Sequence, residues 1–171
     1  LLRELLGVRM SLGSVSAIER RVSEAVEPAV DEAMESARAA AVKHADGTTW
    51  LRAGKLLSLW VIATTAVTVF KVLPNGQKAT LRDDFFGRMC GILVSDRATA
   101  LKFWAMHRRQ ICWAHLVRKF VSYSERDGPA GKLGKELLEY TSLLFEYWSL
   151  FGEGQLSRAI LIERMAPVRR Q

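Results

Sequence analysis

Apolar residues recur at every fourth position in the first forty residues and predict an amphipathic helix. The positions that share this apolar face are Ile18, Val22, Val26, Val30 and Met34. The segment from Ser16 to Glu19 has the form of a capping box, which favours a helix start there. Pro28 is expected to kink or split the helix, because proline has no backbone N–H to donate. Residues 1–16 show the punctuation of a helix-turn-helix motif, a short helix followed by a glycine turn and a new helix start.

From residue 41 the pattern changes to short apolar runs bounded by turn residues, which is typical of β-strands. The predicted strands are Ala41–Ala45, Lys55–Ala63, Ala66–Val72, Gly91–Ser95 and Arg109–Cys112, with helices over Gln77–Met89 and Ala98–Ala105. The run from Leu56 to Phe70 carries no charge, but it is shorter than the roughly 20 residues that span a bilayer. Two strands joined by a tight turn explain it better, so no membrane span is expected.

The predicted order of elements is βββαβαβ followed by a helix, which is the order of the ribonuclease H-like fold. We therefore expect an α/β (α+β) protein with a mixed sheet and helices on both faces. N-terminal helices would precede the sheet, and a C-terminal helical insertion would follow it. The corresponding divisions are a helical segment over 1–40, a ribonuclease H-like core over 41–127 and the helical insertion over 128–171.

Two aspartates, Asp46 and Asp96, follow apolar, β-branched runs at the predicted ends of strands. A carboxylate at the end of a buried strand is held rigidly and still reaches solvent, as a divalent-cation site for phosphoryl transfer requires. In the ribonuclease H-like order these two strands end side by side. Asp46 and Asp96 are therefore candidate metal ligands, and the alternative is that both simply cap turns.

Composition restricts the class of protein further. The chain has 171 residues, a hydrophobic share of 49%, and 25 Lys and Arg against 18 Asp and Glu, which gives a formal net charge of +7. This balance excludes general disorder and favours a polyanionic partner. The two cysteines, Cys90 and Cys112, are too few for a secreted disulfide framework and are compatible with a reducing cytoplasm.

Basic residues and tryptophans alternate around the last predicted strand and helix, an arrangement that suits contacts to phosphates and bases. The candidate DNA-binding residues are Arg97, Arg108, Arg109, His115, Arg118 and Lys119. His115 is equally well explained as a buried structural histidine. Cys112 and His115 also have a spacing that zinc accepts, although no second pair with this spacing occurs. Trp60 and Trp113 are expected to be buried, whereas Trp50 is ambiguous.

Four segments together resemble the insertion-sequence-66 family of bacterial transposases. They are KHADGTTW at 43–50, Leu-Trp-Val at 59–61, GILVSDR at 91–97 and QICWAHLVRKF at 110–120. Their order and spacing match, the resemblance covers nearly the whole chain, and the Cys-Trp-Ala-His-Leu segment is its most specific part.

The resemblance implies a DDE transposase, in which three carboxylates hold two Mg²⁺ (or Mn²⁺) ions and catalyse strand cleavage and joining at transposon ends. Asp46 would be the first catalytic carboxylate and metal ligand, and Asp96 the second. The partners implied are transposon-end and target DNA and further copies of the chain assembled on DNA, without a membrane. The implied location is the bacterial cytoplasm, in association with the nucleoid.

The chain departs from the family pattern in two places. The family usually follows its first Asp with Glu, whereas Gly47 stands here. The resemblance implies that the third carboxylate is a Glu beyond the helical insertion, and we expect this chain to stop inside that insertion. The acids that follow residue 120 are expected on solvated helix surfaces, and these are Glu125, Asp127, Glu136, Glu139, Glu146, Glu153 and Glu163.

We therefore expect a fragment of a DDE transposase, incomplete at both ends, that is inactive by itself. The alternative is a truncated, non-catalytic remnant that binds DNA. A different ribonuclease H-like nuclease, acting on RNA–DNA hybrids or branched DNA, is a third class, and the Cys-Trp-Ala-His motif argues against it.

Overall fold

The computed structural model describes residue 7 and residues 9–169, with side chains described up to residue 166. The first helix of the predicted helix-turn-helix motif falls mainly on residues 1–6 and 8, outside the described residues. The chain forms two compact units, of which one ends at Gln110 and the other begins at Ile111. The divisions at residues 40 and 127 that the sequence suggested remain predictions.

The first helix, α1, spans Leu12–Ala39 without interruption. Ser11 caps it, because its Oγ accepts a hydrogen bond of 3.0 Å from the backbone N–H of Ser14. The helix start predicted at Ser16 is therefore wrong, since an earlier serine supplies the cap. The split predicted at Pro28 does not occur either, because losing one donor in a 28-residue helix leaves its other backbone hydrogen bonds in place.

Only the C-terminal end of the apolar face of α1 is buried. Met34 is 9% exposed and Ala37 is fully buried in the core. Ile18 and Val22, nearer the N-terminus of the helix, are 45% and 56% exposed. The periodicity therefore predicted the helix correctly, but the core covers only its last turns.

A five-stranded mixed sheet follows the helix, which confirms the predicted α+β class with a mixed sheet. Its strands are β1 (Val42–Arg52), β2 (Lys55–Ala63), β3 (Thr68–Leu73), β4 (Ile92–Ser95) and β5 (Arg109–Ile111). They lie in the order β3-β2-β1-β4-β5. Strands β1, β2 and β3 form an antiparallel meander, and β1 pairs with β4 in parallel.

The uncharged run from Leu56 to Phe70 forms most of β2, a turn and the start of β3, as predicted. Thr64 closes the turn, because its backbone N–H donates to the Val67 carbonyl at 2.9 Å and its Oγ1 accepts from the Val67 N–H at 3.0 Å. Among the described residues, no helix has the length and apolar character needed to cross a membrane.

Strand β1 is much longer than the predicted strand Ala41–Ala45. Asp46 therefore lies inside the strand, opposite Val61 of β2, and the expectation that it follows the strand end is wrong. The Asp-Gly pair has the composition of a turn, but the chain turns later, at Ala53 and Gly54. Both have positive φ, 47° and 74°, as the two-residue type I′ hairpin requires.

The segment between β3 and β4 is less regular than the predicted helix Gln77–Met89. A short helix, α2 (Lys78–Thr80), continues as a π-helix over Leu81–Phe86. The wider π-turn places Leu81, Phe85 and Phe86 in the core together, each at most 2% exposed. Burial of these side chains therefore overrides the regular helical pattern.

The predicted helix Ala98–Ala105 is also wrong, since only the 3₁₀ turn Thr99–Leu101 forms there, followed by a second 3₁₀ turn over Met106–Arg108. Trp104 enters the core instead of extending a helix. Its Nε1 donates to the Gly91 carbonyl at 3.1 Å, and its ring lies edge-on to Phe86 at 5.9 Å.

The second unit consists of helices α3 (Trp113–Ser124), α4 (Pro129–Gly152) and α5 (Arg158–Arg169). Trp113 packs edge-to-face on Phe145 at 5.6 Å, but it is only half-buried, less than expected. The acids predicted to lie on solvated surfaces are all exposed, and they are Glu125, Asp127, Glu136, Glu139, Glu146, Glu153 and Glu163.

A buried lysine lies beneath the centre of the sheet. Lys43 of β1 is 0% exposed, and its Nζ donates to the carbonyls of Ala40 at 2.5 Å and Cys90 at 2.6 Å. Ala40 caps the C-terminus of α1, where backbone carbonyls attract a cation. Lys43 therefore joins the end of α1 to the segment that leads into β4.

Trp60 of β2 covers Gly47 of β1, its cross-strand neighbour. Trp60 is 6% exposed, as predicted, and its Nε1 donates to Ser58 Oγ at 2.8 Å. A Cβ atom at position 47 would lie 2.5 Å from the indole ring. Glycine at this position therefore leaves the space that the Trp60 ring fills.

We expect the stability contributed by Lys43 to depend on pH. Burial lowers the pKa of Lys43, and the nearby Cys90 thiol acts in the opposite direction. The unfolded chain thus holds more protons between the folded-state pKa and the ordinary value, so stability rises with pH across this interval. In a Cys90→Ser background, the free energy of unfolding of the chain with Lys43 should therefore rise relative to that of the Lys43→Met variant as the pH is raised towards the ordinary lysine pKa of about 10.4.

Denaturant titrations at each pH measure this difference. The matched control is Lys78→Met, at an exposed lysine, and the pH dependence expected for Lys43→Met should exceed that of this control. If the Lys43→Met difference depended on pH no more than that of the control, the burial of a charged ammonium would be contradicted.

Replacing Gly47 by alanine should destabilise the chain. Displacing the Trp60 ring should lower the free energy of unfolding by about 1–3 kcal/mol. This loss exceeds the roughly 0.5–1 kcal/mol by which alanine stabilises a strand relative to glycine. Chemical denaturation should show this loss, and the loss should disappear in a Trp60→Leu background. Gly13→Ala is the control, because its Cβ would meet only Ser11 Oγ at 3.8 Å. Equal stabilities of the two alanine variants would refute the contact.

Candidate metal centre

The parallel pairing of β1 with β4 aligns the two candidate aspartates. The last of its three residue pairs is His44 with Val94. Asp46 and Asp96 each follow this pair by two residues, which places them at the same level along the sheet. Because side chains alternate between the two faces of a strand, Asp46 shares a face with His44. This is the face opposite to the one that carries the buried residues Lys43 and Leu93.

Asp46 is exposed on an otherwise apolar part of this face. Its Oδ1 accepts a hydrogen bond from the N–H of Gly47 at 2.9 Å. A shallow depression of about 140 Å³ surrounds it, lined by Asp46, Gly47, Thr48, Leu59, Val61 and Phe70. The carboxylate therefore faces solvent from a strand that is paired with β2 from His44 to Arg52.

Asp96 lies directly after β4 and is half-buried. Its Oδ1 accepts from the N–H of Ala98 at 3.0 Å, which closes a turn of the Asx type. Ser95 Oγ donates to the Asp96 carbonyl at 3.0 Å, and Arg109 Nη2 donates to the same carbonyl at 3.1 Å. The turn therefore uses one carboxylate oxygen of Asp96, as the capping interpretation suggested. The backbone carbonyl of Asp96 is held by two donors, Ser95 and Arg109.

The chemistry of these residues fits part of a divalent-cation site. Hard cations such as Mg²⁺ take carboxylate oxygens, and the two aspartates here each follow the last parallel residue pair of β1 and β4 by two residues. Within the described residues, no cluster of three or more His, Cys, Asp or Glu side chains could hold a metal ion. The same finding gives the Cys112 and His115 pair no third zinc ligand in this part of the chain.

Three of the predicted DNA-binding residues belong to the first unit. Arg97, next to Asp96, and Arg108 are exposed. Arg108 borders a cavity of about 330 Å³ whose walls include Phe103 and Trp104. Arg109 is half-buried and directs its guanidinium to Asp96 and to Ser95 Oγ, at 3.5 Å, so its described contacts support the Asp96 turn.

The other three lie on α3 in the second unit. Arg118 and Lys119 are exposed, and the Nζ of Lys119 lies 5.7 Å from the centre of the Tyr123 ring. His115 is half-buried, and its Nδ1 is buried without a hydrogen-bond partner in the described structure. Both interpretations of His115, as a DNA contact and as a structural residue, remain predictions.

Sequence reasoning missed three features around the candidate site. Nothing in the sequence indicates that Lys43 is buried, because a single lysine in an alternating strand pattern is normally expected to face solvent. The Trp60 and Gly47 contact depends on strand register, which appears only when the turn is located. That turn did have a signal, since Ala53-Gly54 is flanked by alternating strand residues on both sides.

The comparison with protein-family models identifies this chain. The model described as the transposase IS66 family matches residues 1–165. No curated protein matches the chain. The family match covers nearly the whole sequence, and it includes the two aspartates and the basic residues of both units. The chain belongs to the transposase IS66 family.

Proposed function

We propose that this chain carries part of the catalytic centre of a DDE transposase, with Asp46 and Asp96 as its first two metal ligands. The observation that carries the proposal is the parallel pairing of β1 with β4, since Asp46 and Asp96 each follow its last residue pair by two residues. The strand order β3-β2-β1-β4-β5, with three antiparallel strands followed by a parallel one, supports a ribonuclease H-like core.

The chain contributes position and charge to this centre. Asp46 is fixed by the pairing of β1 with β2, which continues on both sides of it. Asp96 is fixed by its Asx turn and by the hydrogen bond from Arg109 to its carbonyl. Among the described hydrogen bonds each carboxylate uses only Oδ1, so Oδ2 of each is available to a cation.

Two Mg²⁺ or Mn²⁺ ions, when bound at these carboxylates, would activate a water or 3′-hydroxyl nucleophile and stabilise the leaving oxygen of an in-line displacement at phosphorus. The residues of the chain hold the carboxylates and contact the DNA. Arg97 and Arg108 of the first unit, and Arg118 and Lys119 of the second, are exposed cations suited to phosphate contacts. Arg109 acts as a positioning residue for Asp96.

The substrates in this proposal are transposon-end and target DNA, with several copies of the chain assembled on the DNA. Its location is the bacterial cytoplasm, in association with the nucleoid. The net charge of +7 supports a polyanionic substrate.

Metal binding tests the proposal most directly, because it does not require a complete active centre. We expect Mn²⁺ titrated into the chain, followed by electron paramagnetic resonance, to bind in a manner that depends on both aspartates. Asp46→Asn and Asp96→Asn should each weaken Mn²⁺ binding by at least about ten-fold. Losing a residue that only supports a metal ligand typically costs roughly 10–100-fold in metal affinity, and losing a direct ligand costs more. Asp31→Asn, at an exposed aspartate on α1, is the matched control and should bind as the parent does.

Nicking of supercoiled plasmid DNA in Mn²⁺ is the second readout. Any nicking by the chain should fall with both aspartate variants and persist in Asp31→Asn. Unchanged Mn²⁺ affinity in Asp46→Asn and Asp96→Asn would remove both residues from the metal centre. Retained DNA binding together with that result would favour a DNA-binding protein without chemistry of its own.

A further inference from the structure

Strands β1 and β2 extend beyond the rest of the sheet as a two-stranded ribbon, residues 49–57. Strand β3 pairs with β2 only as far as Ser58, and β4 pairs with β1 only from Val42 to His44. The ribbon ends in the two-residue turn at Ala53 and Gly54. We propose that this ribbon is a DNA-binding arm, which contacts the phosphates of a duplex that lies across the candidate metal centre. This inference rests on the proposed function, since it assigns a contact surface for the same DNA.

The charge of the ribbon supports a polyanionic partner. No Asp or Glu occurs between Asp46 and Asp83, whereas five basic residues do. Two of these five, Arg52 and Lys55, are exposed at the tip of the ribbon. Lys71 and Arg82 are engaged elsewhere, since Lys71 donates to the Asp84 carbonyl at 2.9 Å and Arg82 pairs with Asp83. The tip therefore carries positive charge without acidic neighbours in sequence.

The two cations at the tip are also direct cross-strand partners. Arg52 pairs with Lys55 in the register of β1 and β2. Like charges opposite one another destabilise a strand pair, so this arrangement opposes hairpin formation in the isolated chain. Ala53, a non-glycine residue at positive φ, adds local strain at the same point. A phosphate placed between the two cations would turn their repulsion into attraction.

The apolar side chains of the ribbon are unusually exposed. Trp50 is 45% exposed, Leu51 is 71% exposed and Leu56 is 67% exposed. Such side chains at the end of a basic β-ribbon can enter a DNA groove, while the adjacent cations contact the backbone. The ambiguous Trp50 of the sequence thus belongs to the ribbon.

Register connects the tip to the candidate metal centre. Asp46, Thr48, Trp50 and Arg52 alternate along β1 and share one face of the strand, which follows the strand twist. Asp46 and Arg52 are six residues apart, which corresponds to about 20 Å of strand. A duplex with its reacting phosphate at Asp46 would reach Arg52 and Lys55 about six base pairs away, at a rise of about 3.4 Å per pair.

Duplex binding in the presence of a chelator tests the ribbon separately from metal chemistry. We expect the anisotropy of a fluorescein-labelled duplex to show about ten-fold weaker binding by Arg52→Ala/Lys55→Ala than by the parent chain at about 100 mM salt, and this difference should shrink as salt is raised. The slope of log affinity against log salt should fall by about two, one for each phosphate that the variant no longer binds. Lys78→Ala/Arg88→Ala removes the same charge from exposed positions outside the ribbon and should bind within about two-fold of the parent chain.

If Arg52 and Lys55 had a purely structural role, replacing them would lower the free energy of unfolding. Removing the repulsion of Arg52 and Lys55 should leave the free energy of unfolding unchanged or raised while duplex binding falls. Wild-type affinity and salt slope in the Arg52→Ala/Lys55→Ala variant would overturn the inference, as would absence of duplex binding by the parent chain. The inference would also be overturned if the ribbon mediated self-association instead. In that case sedimentation would show that Leu51→Ser/Leu56→Ser dissociates a dimer, while the affinity for DNA stays unchanged.

The two proposals fail in distinguishable ways. Asp46→Asn and Asp96→Asn should leave chelator-insensitive duplex binding intact, because they remove negative charge and lie outside the ribbon. Mn²⁺ binding that does not depend on these aspartates contradicts the metal centre alone. Retained duplex affinity in the ribbon variant contradicts the arm alone.

Discussion

The parallel pairing of three residues of β1 with three residues of β4 is the interaction on which the rest of the structure depends. It is short, from Val42 to His44, and it joins segments that are about fifty positions apart in the sequence. One face of this pairing carries Lys43, which ties α1 to the entry of β4, and the other leads to Asp46 and Asp96. The hydrophobic core therefore stabilises the candidate site through backbone pairing.

Strand β1 takes part in both the sheet and the ribbon. Its first residues are central in the sheet, between β2 and β4, and its last residues form one side of the exposed ribbon. A continuous paired strand is stiff, so the position of the ribbon tip relative to Asp46 is set by strand geometry. Trp60, packed over Gly47, strengthens this connection within the sheet, next to the start of the ribbon.

The sequence predicted the strands well where alternation and turn residues agree, and β2 has the bounds expected for it. It failed where a local turn signal competed with pairing, since Asp46-Gly47 suggested a strand end and cross-strand contacts to β2 prevail. The helix predicted over Gln77–Met89 failed because Leu81, Phe85 and Phe86 are buried together by a π-turn. Asp46 and Asp96 were proposed from the sequence alone, whereas their common position relative to the β1–β4 pairing appeared only with the register.

The two-residue turn restricts how the length of the ribbon can change. One residue added to each strand would move the Arg52 and Lys55 pair to the opposite face, because side chains alternate. The pair keeps its face only when each strand gains or loses two residues, and each such step moves the tip by about 7 Å, or about two base pairs. Among natural variants of this hairpin, insertions and deletions that preserve the arm should therefore come in multiples of four residues, split equally around the turn.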